Sequence, residues 1–570
     1  MLKYSDYDYK RIDVAKFKSD ANEVIDNFNS VQSASDQISH IKKLEKIMGE
    51  WATYNAIANL EYSRDTFSKK NKEENEFYDN IGPEMQEIST KYATAMLESP
   101  FRQELEKEFG NHIFNLKELE RKTFKPEIKD MLREESDLCN RYTELIASAK
   151  IDFQGETYNL TGLGPFHSDS DRNTRKESYK AKFDFFKQNG EELDSIYDSL
   201  VKIRTKIAKT LGYENYVELG YNKLGRTDYN HKDVANFRKQ IVEYVVPIVS
   251  KLHNQRKSIL DLDYLYFYDS INFKEGDPKP KGSLDHLVSE AQEMYRDLST
   301  ETGDFFDMMV NEELMDLENR KGKRGGGFCT SFPMYERPYI FANFNGTDHD
   351  VTVLTHEAGH AFQVYSSRCQ PLMDYYWPTL EACEIHSMSM EFITWPWMEK
   401  FFKEETDRFK YLHIAKSLSF LPYGACVDHF QHWVYENPEA SSKDRKQKWL
   451  ELEKIYLPNR DYDDIEYPKE GGVWQGQLHI YQMPFYYIDY TLAQTCAFQF
   501  WSKFNKNRDV AWKEYHDLCK AGGSMPFTKL LDVAKLKSPF KDNTLEDVVN
   551  EISSWLDSID VENLVLESAD

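Results

Sequence analysis

The sequence predicts a mainly α-helical protein with one small patch of β-structure, and three observations carry that prediction. Over most of the 570 residues, apolar side chains recur at helical spacing with few glycine or proline breaks. Strand-like runs concentrate in a single interval between Arg320 and Thr355. A pair of histidines at helical spacing, His356 and His360, follows that interval directly.

Taken in order, residues 11–110 read as long amphipathic helices, most clearly Ser35–Tyr54 and Asn71–Ser99, with charged faces set against Ile, Leu, Met and Phe. Residues 115–150 continue the pattern. The segment Ile151–Leu160 reads as a small hairpin, and Thr161-Gly162-Leu163-Gly164-Pro165 as a break. A boundary placed there divides the chain into an N-terminal helical domain, 1–165, and a second domain, 166–570. Helices resume at Asp171 and run to Leu260, and Gly276–Gly282, rich in Pro and Lys, reads as an exposed loop. Gly325-Gly326-Gly327 matches neither a phosphate loop nor a dinucleotide fingerprint and reads as a turn. Phe328–Phe332 and Tyr339–Phe344 follow as strand material, with Asn345–Asp348 as a turn. Two or three short strands here predict a small sheet beside the helix that carries His356.

Composition excludes several functions. The net charge of −25 repels a phosphate backbone, and no basic arm offsets it, so nucleic-acid binding is not expected. No run approaches the roughly 18 uncharged apolar residues of a membrane span. Met1–Asp6 has no apolar run behind its lysine, so a cytoplasmic location is expected. The seven cysteines form no C-x-x-C pair and read as scattered reduced thiols. The 36 Tyr, 35 Phe and 10 Trp are read as core filling between helices.

The chemistry lies in Asp350–Phe362, which contains His356-Glu357-Ala358-Gly359-His360. Asp350 reads as the helix N-cap. Residues i and i+4 share a helix face, so both imidazoles can aim at one zinc ion at about 2.0–2.1 Å. Glu357 lies about 100° around the helix, placed to miss the metal and reach a water beside it. Composition alone supplies about 0.04 such H-E-x-x-H motifs in a chain like this. Catalytic zinc needs a third protein ligand and an open position. The metzincin continuation is absent, because Gln363 and Ser366 stand where Gly and His would be required. Past Pro371 and Pro378, Glu381, Glu384 and Glu391 are the candidates, and spacing does not choose among them.

The run Asp350–Phe392 resembles the M3 family of zinc peptidases, of the oligoendopeptidase F and thimet oligopeptidase type. The resemblance implies Glu384 as the third ligand, the first Glu of Glu384-Ile385-His386-Ser387-Met388-Ser389-Met390-Glu391. Glu391, seven residues on and on the same face, is either a support for a ligand or a salt-bridging residue. Asp428–Pro438, Glu470–Gly476, His479–Tyr490 and Gly522–Phe527 are also similar to the family. His429 and His432, with no acidic partner on their face, read as packing. The resemblance implies catalytic roles for Tyr487, Tyr490 and His479 as oxyanion donors. It also implies a two-lobed helical body with a deep central channel, one Zn2+ ion held by His356, His360 and Glu384, and short unstructured peptides as substrates. The expected reaction is internal peptide-bond hydrolysis with Glu357 as general base. Tyr339–Phe344 is expected to pair with the substrate backbone as an edge strand. Two rival readings are a dipeptidyl carboxypeptidase with the same zinc site and a non-catalytic peptide-binding protein.

Overall fold

The computed structural model describes residues 2–560 and Leu564. Helices dominate, as the periodicity predicts. Ser35–Tyr54 lies within Ala34–Arg64, capped by the Ser33 side chain accepting from Asp36 N, and Asn71–Ser99 corresponds to Lys69–Leu97. Gln37, Ile41 and Leu44, at helical spacing, are buried on the first of these. The predicted hairpin is present as β1 (Ile151–Phe153) and β2 (Glu156–Tyr158), antiparallel. Its two turn residues, Gln154 and Gly155, both have positive φ, the geometry of a tight two-residue connection. Thr161–Pro165 does not break the chain; it winds as a 3-10 turn, Thr161–Leu163, into the helical turn Gly164–His167.

The sheet has three strands, β3 (Met315–Glu318), β4 (Phe328–Phe332) and β5 (Arg337–Phe344), in the order β3-β5-β4. β5 pairs parallel to β3 and antiparallel to β4. Both edges of Tyr339–Phe344 are therefore occupied, which overturns its expected pairing with substrate; β3 and β4 are the edge strands. Sequence pattern could not reveal this, because burial of Pro338–Ala342 on both faces looks the same for any inner strand.

Four helices then build the centre: α1 (Asp348–Ser367), α2 (Leu380–Ile393), α3 (Thr406–Glu436) and α4 (Tyr487–Lys506). Thr347, not Asp350, is the N-cap of α1. Asp350 sits in the first turn, and its carboxylate accepts from Asn345 N (2.9 Å) and Gly346 N (2.7 Å), still serving the positive end of the helix. α2 packs between α1 and α4 and is buried from Glu381 to Ile393. A helix buried on every side is normally apolar throughout. This one carries Glu381, Glu384, His386 and Glu391, and buried charge of that density marks a working site. One connected hydrophobic core runs through these helices, and no helix among the described residues is long and apolar enough to cross a membrane. All seven cysteines are free.

Candidate active site

The site exists because α1 and α2 cross at a glycine. A methyl group on Gly359 would lie 2.6 Å from His386 O and 2.7 Å from Ser387 Cα, so only hydrogen fits. That contact brings Glu384, about one turn earlier on α2, against both histidines of α1. Glu384 Oε2 lies 3.3 Å from His356 Nε2 and 3.5 Å from His360 Nε2. The three ligand atoms lie within 4.8 Å of one another, and no other such group occurs among the described residues. Tetrahedral zinc bonds of about 2.0–2.1 Å place ligand atoms roughly 3.3 Å apart, so the donor set and spacing fit a zinc ion with one position left for water or substrate. Glu381, the other close candidate, points elsewhere: it is buried beside Arg226, whose charge opposes the rise that burial imposes on its carboxyl.

Glu391 orients the first histidine. Its Oε1 accepts from His356 Nδ1 at 2.7 Å, and its Oε2 accepts from His413 Nε2 at 2.7 Å. The indole Nε1–H of Trp395 donates to His413 Nδ1 at 2.9 Å. Indole can only donate, so His413 must carry its proton on Nε2 and give it to Glu391. His356 is thereby held with its proton on Nδ1 and its Nε2 lone pair toward the metal position. Burial raises the Glu391 carboxyl, but the two histidine hydrogen bonds outweigh it and hold the group below its ordinary value. Glu391→Gln is expected to weaken zinc affinity about 10- to 100-fold, read by competition against a chromophoric chelator; unchanged affinity would overturn the assignment.

Glu384 is held on both oxygens. Ser387 donates to Oε2 at 3.0 Å and Tyr486 to Oε1 at 2.8 Å. Burial pushes its carboxyl up, yet His360 and His356 outweigh that and keep it well below the usual range. Glu357 is 5% exposed, and its Oε2 has no hydrogen-bond partner. The last glycine of the Gly325–Gly327 run lies against its other oxygen: a methyl on Gly327 would come within 3.2 Å of Oε1. Burial raises the Glu357 carboxyl, opposed by His356 and His360.

The four remaining side chains cluster opposite. His479 lies with ring centroids 5.5 Å from Tyr486, 5.0 Å from Tyr487 and 5.7 Å from Tyr490. Gln477 Nε2 donates to His479 Nδ1 at 2.9 Å, and Tyr423 fixes that amide by donating to its Oε1 at 2.9 Å. His479 is pulled down to about 4 by burial, so it is neutral near pH 7 with its proton on Nε2. Burial raises the Tyr490 phenol, and the charges of Glu384 and Glu357 add to the rise. Tyr487 feels burial and only its neighbours Tyr423 and Tyr490, and its ring sits 5.6 Å from Phe420. Of the three residues expected here, Tyr490 and His479 feel the charge of Glu384, and Tyr487 packs its ring against Phe420 and Tyr423.

Sequence reasoning missed Tyr486, His413 and Arg226. Arg226 donates to both Phe485 O and Asp489 Oδ1 at 2.6 Å. Phe485 has φ +67°, strained for an aromatic residue, and its ring is locked against Gly220, where a methyl would approach to 2.6 Å. The strained turn sets the exit angle of α4 and hence of Tyr486 and Tyr490. Met483-Pro484-Phe485 was the visible signal, whereas His413 had none. His432 does have an acidic partner on its face, Asp428 at 3.3 Å, but Arg238 and Tyr221 complete the group and no metal cluster forms there. His429 meets Tyr456 at 3.1 Å.

The fold and this site are those of a peptidase. Residues 166–549 match the model of Peptidase family M3, and residues 4–124 that of the Peptidase M3 N-terminal domain. An oligoendopeptidase F homolog of Borreliella burgdorferi is 25% identical over 447 residues, 74% of this chain and 71% of that protein. Among solved structures, PZ peptidase A with an inhibitor is 47% identical with a TM-score of 0.96, covering 98% of this chain and 100% of that one. A structure assigned as an oligoendopeptidase F is 48% identical with the same TM-score, covering 99% and 100%. The chain belongs to peptidase family M3 and is of the oligoendopeptidase F type.

Proposed function

We propose that the protein is a zinc-dependent oligoendopeptidase that hydrolyses internal bonds of short, unstructured peptides. The observation that carries this reading is the convergence of His356, His360 and Glu384 beside a buried, unpartnered Glu357 oxygen. His356, His360 and Glu384 would hold the ion. When bound, zinc supplies Lewis acidity, acidifying water and polarising a carbonyl. Glu357 takes a proton from the attacking water and returns it to the leaving amine. Its raised affinity for a proton suits both halves of that exchange.

Tyr490 O–H and His479 Nε2–H donate to the carbonyl oxygen as it gains charge. Tyr490→Phe is expected to lower kcat about 100-fold, with a smaller loss for Tyr487→Phe. Equal losses, measured with one peptide at saturation, would remove the distinction. β4 leaves Gly327 directly beside Glu357, and its free edge offers backbone groups to an extended peptide. Glu357, His360 and Glu384 are 5%, 9% and 4% exposed, so a substrate must enter as a thin flexible chain.

The test is mass spectrometry of products from 8- to 15-residue peptides and one folded protein, with and without chelator. Internal cuts confined to the peptides, abolished by chelator and restored by zinc, are expected. Release of C-terminal dipeptides alone would establish a carboxypeptidase instead, and zinc binding without cleavage a binding protein.

A further inference from the structure

A cavity of about 480 Å³ adjoins the site on the side of α3. Four cationic side chains line it: Lys182 from the helix Arg172–Gln188, Arg256 from the helix Val246–Ile259, Lys416 from α3, and Arg460. No carboxylate lines it, in a chain with 97 acidic and 72 basic residues. Two of the cations are answered elsewhere: Lys416 by Asp348 at 2.9 Å and Arg460 by Glu453 at 3.5 Å. The other two have no ion-pair partner among the described residues. Arg256 Nε is buried without a hydrogen-bond partner. Lys182 Nζ has only the Phe183 ring, 5.7 Å away. Burial lowers the proton affinity of both; Lys182 has nothing to oppose it, and at Arg256 the more distant charges of Asp269 and Asp277 oppose the fall without cancelling it. Unpaired buried charge is costly to keep, and a bound anion removes the cost.

Tyr423 stands between the cavity and the site. It lines the cavity, stacks edge-on to Tyr487 at 5.8 Å and holds the Gln477 amide that orients His479. Lys416 grips the first residue of α1, Asp348, eight residues or about 12 Å along the helix before His356. An extended peptide advances about 3.3 Å per residue, so three or four residues span the interval between His356 and the Lys416 end of the cavity.

We propose that this cavity is a carboxylate-binding subsite, in which Arg256 and Lys182 engage the C-terminal carboxylate of a peptide cut at the His356–His360–Glu384 centre. The proposal rests on the peptidase reading above. Every linear peptide carries that carboxylate, so the pocket acts on substrates of any sequence. Anchored in a cavity whose Lys416 end lies that three- or four-residue span from His356, the terminus favours internal cleavage near the C-terminus over dipeptide release. An acidic side chain offers the same chemistry, and the test separates the two sources.

Three versions of one peptide with four residues after the cut suffice: free C-terminus, C-terminal amide, and amide with glutamate as last residue. For the zinc-loaded protein, KM is expected to rise about tenfold or more on amidation, the range of a lost charge-assisted pair. Recovery with the glutamate peptide would assign the pocket to side-chain carboxylates instead of the terminus. In Arg256→Gln and Lys182→Met, the free-to-amide KM ratio is expected to fall toward one. Zinc content and thermal melting serve as controls, with either variant able to stand in for the other. Calorimetric titration of the same peptides into Glu357→Gln gives the preference as Kd, independent of turnover. Equal KM and Kd for all three peptides, or a ratio unchanged in both variants, would overturn the subsite. Absence of turnover with carboxylate-dependent Kd intact would overturn the peptidase reading and leave the pocket as a carboxylate site.

Discussion

Glu357→Gln is expected to keep its zinc and lose turnover by a factor of about 10²–10⁴. The amide matches the carboxylate in shape, so His356, His360 and Glu384 retain their geometry. What disappears is the ability to accept a proton. In the native chain that ability is sharpened by burial, since Glu357 is 5% exposed with one oxygen unpartnered. The measurement pairs kcat with zinc content on the same sample. Full activity with zinc bound would remove Glu357 from the mechanism. Loss of zinc would show instead that the residue is structural, and a circular dichroism spectrum would separate that outcome from misfolding.

The second large effect is expected at a residue with no chemistry. Gly359→Val places carbon atoms where His386 O and Ser387 Cα stand, at 2.6 and 2.7 Å from the first added carbon. These are backbone atoms of a helix buried along its length and cannot rotate aside. α1 and α2 must separate, and Glu384 moves away from the histidines with α2. Overpacking of this kind costs on the order of 1–3 kcal/mol or more. The stability loss is expected together with a fall in zinc affinity, because ligands on two helices depend on one crossing distance. Thermal melting with and without zinc reads both. Gly164→Ala is the control, since nothing lies within 4 Å of a methyl there. If Gly359→Val melted and bound zinc like the parent, the crossing would not be what assembles the site.

The two predictions show where information about this protein resides. His356, Glu357 and His360 were legible because i, i+1 and i+4 positions on one helix have a fixed mutual geometry, whatever the helix packs against. The same local logic made the long helices, the hairpin at Gln154-Gly155 and the strand Tyr339–Phe344 readable. Spacing left Glu381, Glu384 and Glu391 equivalent, since all three ride one helix and nothing local says which way it faces. Resemblance named Glu384; the crossing at Gly359 explains it, and it assigns Glu391 to His356 and Glu381 to Arg226. Tyr487 and Tyr490 were likewise indistinct, and Tyr486 was missed, because the strained turn at Phe485 sets their directions.

The sequence by itself thus determined the helical class and the metal-binding motif, both products of short-range backbone geometry. Only the tertiary structure decided which strands are edges, that Tyr486 holds Glu384, and that Lys182, Arg256, Lys416 and Arg460 share one cavity. Those choices depend on contacts between residues tens to hundreds of positions apart. Side-chain packing at helix crossings sets such contacts, and no periodicity along the chain encodes it.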